Sequence, residues 1–596
     1  MHILKMNSVI LLLVAIFAIG NCANSDWWKT AVFYQIYPRS FKDDSNDGVG
    51  DLKGVISKLP YLKELGITAT WLSPIFKSPQ VDQGYDISDY RVVDPLFGNN
   101  NDLTELIKEA NKLGIKIILD FVPNHTSEEH EWFKASVNGT PKYLDYYIWR
   151  DGENKDDKKP PNNWLSNFGG IAWTYNETRK MWYYHEFAKA QPDLNYRNPD
   201  VVKDMKDILV YWLDQGVAGF RIDAVPYLFE DVNFENETAT DKTKGVDPSN
   251  WNSLQHTKTL DLNETLDMIY QFRELIDEYN KNHTEDTRVI MTEAYTDFDK
   301  TLLYYGLKDG SRLGAHFTFN FDFIQSLSKN SSATDIKNII ENWFENLPEI
   351  YTYNWVVGNH DNHRIATRLG VENVDAIMLL QGILPGVMVT YNGEEIGMED
   401  GEVDFDQRQD PQATDEKTFK EKSRDFERTP FQWDNSTNAG FNKGNKTWLP
   451  VSKNYINTNV ELQNTTVDSH LNIYKSLIKN RKKISPAAKT KIEVLNSTVL
   501  TIYRTTETET YFYLYNRLGE PMIINNAGLN NSKILIKSTN SEKEVGSIIN
   551  GTILVETNES LILHKDNPKD NGSFLYKTQP TVLIAVLFLI FVLNSI

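Results

Sequence analysis

Carboxylate, histidine and arginine side chains recur at four points of the chain where an apolar, strand-like run ends. The four stretches are DFVPNH from Asp120, GFRIDAV from Gly219, TEAY from Thr292 and VGNHD from Val357. When parallel strands close into a barrel, their carboxyl ends meet at one rim, where loops can vary while the packed strands hold the side chains. The sequence therefore predicts a catalytic site at such a rim.

The order of the elements predicts the barrel itself. Extended segments alternate with amphipathic helical segments such as Asn101 to Gly114, and Pro199 to Gly216 begins with a proline and ends with a glycine. Eight segments read as strands: VFYQIY, ATWLSPI, IKIILDFV, VAGFRID, RVIMTEA, AHFTFNF, YNWVVG and GVMVTY. This pattern is typical of an α/β protein with a (β/α)₈ TIM barrel.

Two segments depart from a plain barrel. Residues 126–198 are polar, aromatic and proline-rich, too long for an ordinary loop, and are predicted to form an inserted subdomain after the third strand. Strand patterns of period two fill residues 487–566, which are predicted to form an antiparallel β-sandwich domain. The barrel would then comprise residues 24–125 and 199–486. The polar segment Glu235 to Thr259 is interpreted as a surface loop, and its sequence says little about function.

The two ends of the chain predict entry into the secretory pathway. Residues 1–23 resemble a cleaved signal peptide, and sequons such as Asn138 and Asn263 fit a glycosylated surface. Residues 567–596 combine small residues at Asn571 with an apolar tail from Thr581, the pattern of a GPI-anchor signal. As a helix the tail would span about 24 Å, less than the thickness of the hydrocarbon core of a bilayer. A membrane-spanning anchor is therefore the second interpretation of this tail, after the GPI anchor. Both place the protein on the extracellular face of the plasma membrane.

The net charge of -20 argues against nucleic acid as a partner, because phosphate backbones require basic surfaces. It suits a neutral substrate.

Taken together, the four stretches resemble the α-amylase superfamily of glycoside hydrolases. QPDLN from Gln191, RTPFQWD from Arg428 and GYDISDY from Gly84 are similar to its α-glucosidase branch, and in particular to secreted or membrane-anchored insect maltases. The resemblance implies small oligosaccharides as substrates and Asp223 as the nucleophile of a retaining reaction. It implies Glu293 as the acid/base and Asp361 as a third carboxylate that binds sugar hydroxyls.

The resemblance also implies residues that bind the sugar. Arg221 would keep the nucleophile ionised, because it lies two residues before it on the same strand face. His125 and His360 would donate hydrogen bonds to sugar hydroxyls. Tyr85 would offer an aromatic face to the glucose ring, and Asp86 would pair with Arg428 to close the far end of the site.

One residue bears on the linkage that is cleaved. Ala224 follows the nucleophile, where members of the family specific for α-1,6 linkages tend to carry valine. The sequence therefore favours α-1,4-linked maltose and short malto-oligosaccharides, together with sucrose, as substrates.

The loop DDSNDGVGD places oxygen ligands at alternate positions around a glycine, a spacing that can surround a hard cation. The resemblance implies a structural Ca²⁺ held by Asp43, Ser45, Asp47, the carbonyl of Val49 and Asp51. Two features argue against calcium binding: Ser45 stands where a stronger amide ligand is usual, and no bidentate glutamate follows. The alternative interpretation of this loop is a capped, solvated turn. No organic cofactor is implied.

Two other functions are weighed. The alternative is a non-catalytic or dual-role cell-surface binding protein, either a transporter partner or a bacterial toxin receptor. The presence of all three carboxylates implied in catalysis argues against the non-catalytic form. An endo-acting amylase is disfavoured by QPDLN and by the predicted closed end. Toxin docking and a homodimer are left open.

Overall fold

The computed structural model describes residues 26–153, 159–240, 247–283 and 286–567. Its central sheet has eight parallel strands: Val32–Ile36, Ala69–Leu72, Lys116–Phe121, Gly219–Ile222, Val289–Thr292, Phe317–Thr318, Asn354–Val356 and Val387–Tyr391. The first six pair in chain order, the seventh pairs with the eighth, and the eighth pairs with the first, Met388 opposite Val32. Asn354 joins the sixth and seventh strands, because its amide nitrogen donates to the carbonyl of Thr318 at 2.6 Å. The predicted TIM barrel is confirmed.

Helices surround the barrel. Those of eight or more residues are Leu52–Leu65, Asn100–Lys112, Pro199–Asp214, Asn263–Asn282, Phe298–Tyr305, Ala333–Asn346, Val374–Ile383 and His470–Arg481. Shorter ones are Pro38–Phe41, Glu131–Val137, Asp322–Gln325, Ile365–Leu369, Phe419–Lys422 and Val460–Thr465. The second long helix begins at a capping box in which Asn99 and Asp102 satisfy each other's backbone N–H groups, which fixes its start.

Two smaller β structures accompany the barrel. Within residues 126–198, the strands Trp149–Arg150, Trp173–Asn176 and Met181–Tyr184 form an antiparallel sheet, and Phe76–Lys77 pairs with Asp89–Val93 nearby. The C-terminal sheet contains, in spatial order, Lys489–Leu495, Val499–Thr505, Glu509–Asn516, Ser560–Asp566, Ser532–Lys537 and Ile548–Ile549. Met522–Asn525 and Thr552–Val555 form a second sheet, which shares an apolar core with the first. The predicted antiparallel C-terminal β structure is confirmed.

Among the residues that the structure describes, no helix is both long and apolar enough to cross a membrane. The predicted signal peptide at residues 1–23 and the apolar tail lie outside the described residues.

The barrel strands position the chemistry. The fourth and fifth strands are buried along their whole length, as expected for strands covered on both faces. Asp223 follows the fourth strand directly, and Glu293 follows the fifth. Asp120 lies near the end of the third strand, and Asp361 lies in the loop after the seventh. All four carboxylates are therefore at the carboxyl rim.

Candidate active site

Backbone hydrogen bonds between neighbouring strands fix the two central carboxylates. The amide of Asp223 donates to the carbonyl of Phe121 at 2.9 Å, and the amide of Glu293 donates to the carbonyl of Ile222 at 2.9 Å. Both residues are only 7% exposed. The two side chains are therefore held by the packed sheet and not by a flexible loop.

Arg221 binds both of these carboxylates at once. Its Nη1 donates to Asp223, and its Nη2 lies 2.7 Å from Oε1 of Glu293. The same Nη1 lies 3.0 Å from Oδ1 of Asp120, a residue to which the sequence analysis gave no role. Since one guanidinium bridges Asp223 and Glu293, the two carboxyl groups lie close together. A retaining glycosidase needs its two carboxyl groups close together, about 5 to 5.5 Å apart.

Three carboxyl groups thus share one buried positive charge. Burial raises the pKa of Asp223 well above its usual range, the guanidinium of Arg221 opposes this rise, and the negative charges of Glu293 and Asp120 add to it. Burial likewise raises the pKa of Asp120 to about 6 against the same guanidinium. Asp223 and Asp120 therefore take up protons more readily than free carboxyl groups do. Such a cluster can keep one carboxyl protonated as a donor while another is ionised.

Asp361 has the opposite electrostatic environment. Burial by itself raises its pKa, but His360, Arg428 and Arg424 more than offset this, so that the pKa lies below the usual range. Nη2 of Arg428 is 2.8 Å and Nη1 of Arg424 is 3.3 Å from its Oδ1. Burial holds the pKa of His360 well below its usual value, so its ring is neutral at neutral pH. The lowering of the Asp361 pKa there therefore rests on the two arginines and not on His360. Asp361 is consequently an ionised acceptor at neutral pH.

The predicted pairing of Asp86 with Arg428 is wrong. Asp86 is fully buried and accepts hydrogen bonds from Ser78 Oγ and from the amides of Val81 and Asp82, all at 2.9 Å. These donors satisfy its carboxylate within its own turn, so Asp86 shapes that turn and does not reach the arginine.

The arginine that reaches this turn is Arg424. Its Nη2 lies 2.9 Å from Oδ1 of Asp82 and 2.6 Å from Oδ1 of Asp410. Arg428 instead donates to the carbonyl of His360 and to the Gln83 side chain, besides Asp361. Sequence reasoning missed Asp82 and Arg424, although each lies within four residues of a residue that it selected. An aspartate–arginine pair therefore lines this end of the cavity, but Asp82 and Arg424 form it, not Asp86 and Arg428.

Tyr85, His360 and His125 lie beside the carboxylates with separate roles. The hydroxyl of Tyr85 is 2.6 Å from Nε2 of His360 and 3.2 Å from Oδ2 of Asp120. Gln35 donates to Nδ1 of His360 at 2.8 Å, which leaves the single ring proton facing Tyr85. His360 therefore orients Tyr85, whereas Tyr85 and His125 line the cavity. Burial lowers the pKa of His125 to about 3, so its ring is neutral too.

A cavity of about 400 Å³ contains these groups, within the size range of small-molecule sites. Asp223, Glu293 and Asp361 all line it. The other lining residues are Asp82, Tyr85, His125, Asn167, Phe168, Phe187, Gln191, Ala224, Pro226, Tyr227, Trp251, Tyr295, Gln325, Asn362, Gln412 and Arg424. The mixture of carboxylates, amides and aromatic rings suits a polyhydroxylated ligand with apolar ring faces.

Ala224 has a backbone feature that the sequence did not indicate. Its φ of 47° is left-handed, a conformation that costs a non-glycine residue about 1–2 kcal/mol. Its amide donates to Oε2 of Glu293 at 3.1 Å. The strained turn after the nucleophile thus positions a donor on the neighbouring carboxylate.

The predicted calcium loop satisfies its own carboxylates. Asp43 and Asp51 accept hydrogen bonds from the backbone, and the donors are the N–H groups of Asn46, Gly48, Asp44, Ser45 and Gly54. Within the described ranges, the carboxylates of this loop are not among the groups whose ligand atoms gather within 4.8 Å of one another. Calcium binding stays a prediction.

The barrel and the arginine-bridged carboxylates at its carboxyl rim define a glycoside hydrolase. The family model for the α-amylase catalytic domain matches residues 35–489, and the chain belongs to this family.

The chain is 48% identical to "Maltase A1" of Drosophila melanogaster over 81% of this chain and 85% of that protein. It is 48% identical to "Salivary alpha-glucosidase" of Aedes aegypti, with coverages of 78% and 81%. An amino acid transporter heavy chain of Homo sapiens is 40% identical, with coverages of 80% and 68%.

Among solved structures, a mutant isomaltulose synthase of Erwinia rhapontici in complex with sucrose superimposes with a TM-score of 0.79 at 30% identity. This comparison covers 92% of this chain and 100% of that one.

Proposed function

We propose that the protein is a retaining, exo-acting α-glucosidase that releases terminal glucose from maltose, short malto-oligosaccharides and sucrose. The single observation that carries this proposal is the bridging of Asp223 and Glu293 by Arg221 inside a cavity that the Asp82–Arg424 ion pair also lines. The names of the maltase and α-glucosidase relatives support the α-linked glucose substrate. The complex of the isomaltulose synthase supports sucrose.

In the proposed reaction the Asp223 carboxylate attacks the anomeric carbon while Glu293 donates its proton to the departing glycosidic oxygen. The product is a covalent glucosyl ester of Asp223, and the leaving sugar departs with the proton. Esterification removes the charge of Asp223 from the carboxyl cluster. Glu293, now ionised, takes a proton from water as the water oxygen attacks the anomeric carbon. The bond from this carbon to the Asp223 oxygen breaks, which releases glucose and restores the Asp223 carboxylate and the protonated Glu293.

The closed end explains why one glucose would be released at a time. Asp82, Arg424 and Asp361 supply charged hydrogen-bonding groups that the terminal sugar hydroxyls can satisfy. An internal segment of a long chain would instead have to pass through these ion pairs. The sugar bound beside Asp82 and Arg424 is therefore the non-reducing terminal glucose of the substrate.

The test is glucose release from maltose, sucrose, isomaltose and starch by the secreted ectodomain, with Asp223→Asn beside the wild type. We expect rapid release from maltose and sucrose, little from isomaltose and starch, and loss in the variant. Rapid hydrolysis of starch would contradict the exo-acting assignment. A folded wild type that is inactive on all four substrates would overturn the enzyme assignment.

A cell-surface binding role is the second candidate, and the similarity to an amino acid transporter heavy chain favours it. Docking of a bacterial toxin and formation of a homodimer belong to this candidate. Hydrolysis by the wild type would rule out the non-catalytic form, while co-purification of a membrane partner would support a dual role.

We also propose a GPI anchor on the extracellular face and a structural Ca²⁺ in the loop from Asp43 to Asp51. The apolar tail after small residues supports the anchor. Release of the protein from cells by a phosphatidylinositol-specific phospholipase would test it, and retention would favour a membrane-spanning anchor.

A further inference from the structure

A tryptophan from the segment after the fourth barrel strand forms part of the cavity wall. Trp251 lies within Glu235 to Thr259, the segment interpreted from the sequence as a surface loop, and it lines the cavity. Its indole Nε1 donates to Oε1 of Glu186 at 2.9 Å. The His256 ring stacks on it with centroids 3.7 Å apart and an interplanar angle of 8°. Because His256 covers one face, the cavity meets the opposite face or an edge of the indole.

The anchor of this tryptophan is rigid. Glu186 is fully buried, and it also accepts a hydrogen bond from the hydroxyl of Tyr184 in the subdomain sheet. Burial raises the pKa of Glu186 to about 8. A second link joins the same segment to the subdomain, because the amide of Gly170 donates to the carbonyl of Ser249 at 2.8 Å. The indole is thus fixed in position and orientation before any ligand binds.

Trp251 lies on the side of the cavity where the proton donor acts. Phe187, the residue after Glu186, packs against Tyr227 with ring centroids 5.3 Å apart. Tyr227 follows Ala224 by three residues, and the amide of Ala224 donates to Glu293 at 3.1 Å. The closed end formed by Asp82 and Arg424 is instead beside Asp361. Since Glu293 would protonate the departing oxygen, the departing sugar would lie on the Trp251 side.

We propose that Trp251 is the platform for the sugar on the leaving-group side of the cleaved bond, and that Glu186 is the positioning residue that orients its indole. This inference rests on the proposed α-glucosidase function. The C–H groups of a pyranose ring form an apolar face, and an indole fixed on one edge offers a large complementary surface at low entropic cost. The ligand is a second hexose, such as the reducing glucose of maltose.

The experiment compares two substrates that differ only in the leaving group. Maltose leaves a sugar in the proposed subsite, whereas α-D-glucosyl fluoride leaves only fluoride. For Trp251→Ala we expect kcat/KM on maltose to fall about tenfold, mainly through KM. On the fluoride we expect a change of less than about twofold. An equal loss on both substrates, or no loss on maltose, would overturn the inference.

Variants at Glu186 separate positioning from folding. Glu186→Gln keeps an oxygen that can accept the indole N–H and should retain the wild-type KM for maltose. Glu186→Ala removes the acceptor and should reproduce the selective rise in KM. Trp251→Phe keeps an aromatic ring but lacks the N–H, so its KM for maltose should lie between those of Glu186→Gln and Glu186→Ala.

Two outcomes identify which claim has failed. If Glu186→Ala and Glu186→Gln have the same KM as the wild type, Glu186 does not position Trp251. If the wild type hydrolyses neither maltose nor the fluoride, the proposed function itself has failed.

Discussion

Asp82 provides the sharpest test of the closed end. Its carboxylate accepts hydrogen bonds from Nη2 of Arg424 at 2.9 Å and from Nε2 of Gln191 at 3.1 Å. In Asp82→Asn, one oxygen becomes an amide that cannot accept. Gln191 cannot compensate by rotating its own amide, because its oxygen already accepts from the amide of Ala188 at 2.9 Å. One charge-assisted hydrogen bond is therefore lost or replaced by a clash between donors.

The size of the expected fall in kcat/KM follows from the loss of one hydrogen bond to a charged group. Hydrogen bonds to charged groups contribute about 1.5–3 kcal/mol, so kcat/KM on maltose should fall about 10- to 150-fold. Folding should survive, because Arg424 keeps Asp410, with contacts of 3.0 Å from Nε and 2.6 Å from Nη2, and Asp361 at 3.3 Å. The guanidinium is not left buried and unpaired.

The assay is steady-state glucose release from maltose and maltotriose, with thermal melting as the control for folding. Asp86→Asn is a matched comparison, because it lies in the same turn but does not contact Arg424. We expect it to affect melting more than it affects the preference between the two substrates. If Asp82→Asn stays within twofold of the wild type on maltose, the closed end does not bind the terminal glucose.

Three further predictions concern stability. At Ala224, whose φ is 47°, a β-branched side chain is strained, so Ala224→Val should lower the melting temperature and Ala224→Gly should maintain or raise it; the reverse order would refute the strain. Burial raises the pKa of Glu394 to about 8 from its usual 4.5, so the folded state holds a proton that the unfolded state releases between these values. Stability should therefore fall as pH rises through this window, and Glu394→Gln should flatten the melting profile; an unchanged slope would contradict the assignment. Ca²⁺ at about 100 times its dissociation constant should stabilise the folded protein by about 2.7 kcal/mol and raise its melting temperature. Asp47→Ala removes one proposed ligand and should abolish this rise. If Ca²⁺ does not raise the melting temperature of the wild type, the site is excluded.

Much of the fold could be predicted because its signals are local. The eight strand segments and the helices over 101–114 and 199–216 follow from apolar periodicity, capping residues and glycine stops. The structure changes their bounds by at most three residues. The rim location of Asp223, Glu293 and Asp361 follows directly, since residues at the ends of parallel strands converge.

The misses have one physical cause. All of these features depend on how separate loops pack. They are the choice of arginine that reaches Asp361 and Asp82, the hydrogen bonding of Asp86 within its own turn, and the position of Trp251 in the cavity wall. Asp82 and Arg424 are 342 positions apart in the chain, and no local pattern couples them. A hydrogen bond between loops is decided by competition among nearby donors and acceptors, which exists only once the loops are folded.

The sequence by itself determined the barrel, the C-terminal β structure and the carboxylates at the rim. Periodic burial and strand order act over a few residues, and motif composition at strand ends is visible in one dimension. Only the tertiary structure decided that Arg221 bridges Asp120, Asp223 and Glu293, that Arg424 and not Arg428 closes the far end with Asp82, and that Glu186 holds Trp251 in the wall. These are contacts between distant segments, and their geometry is set by the packing of the whole rim.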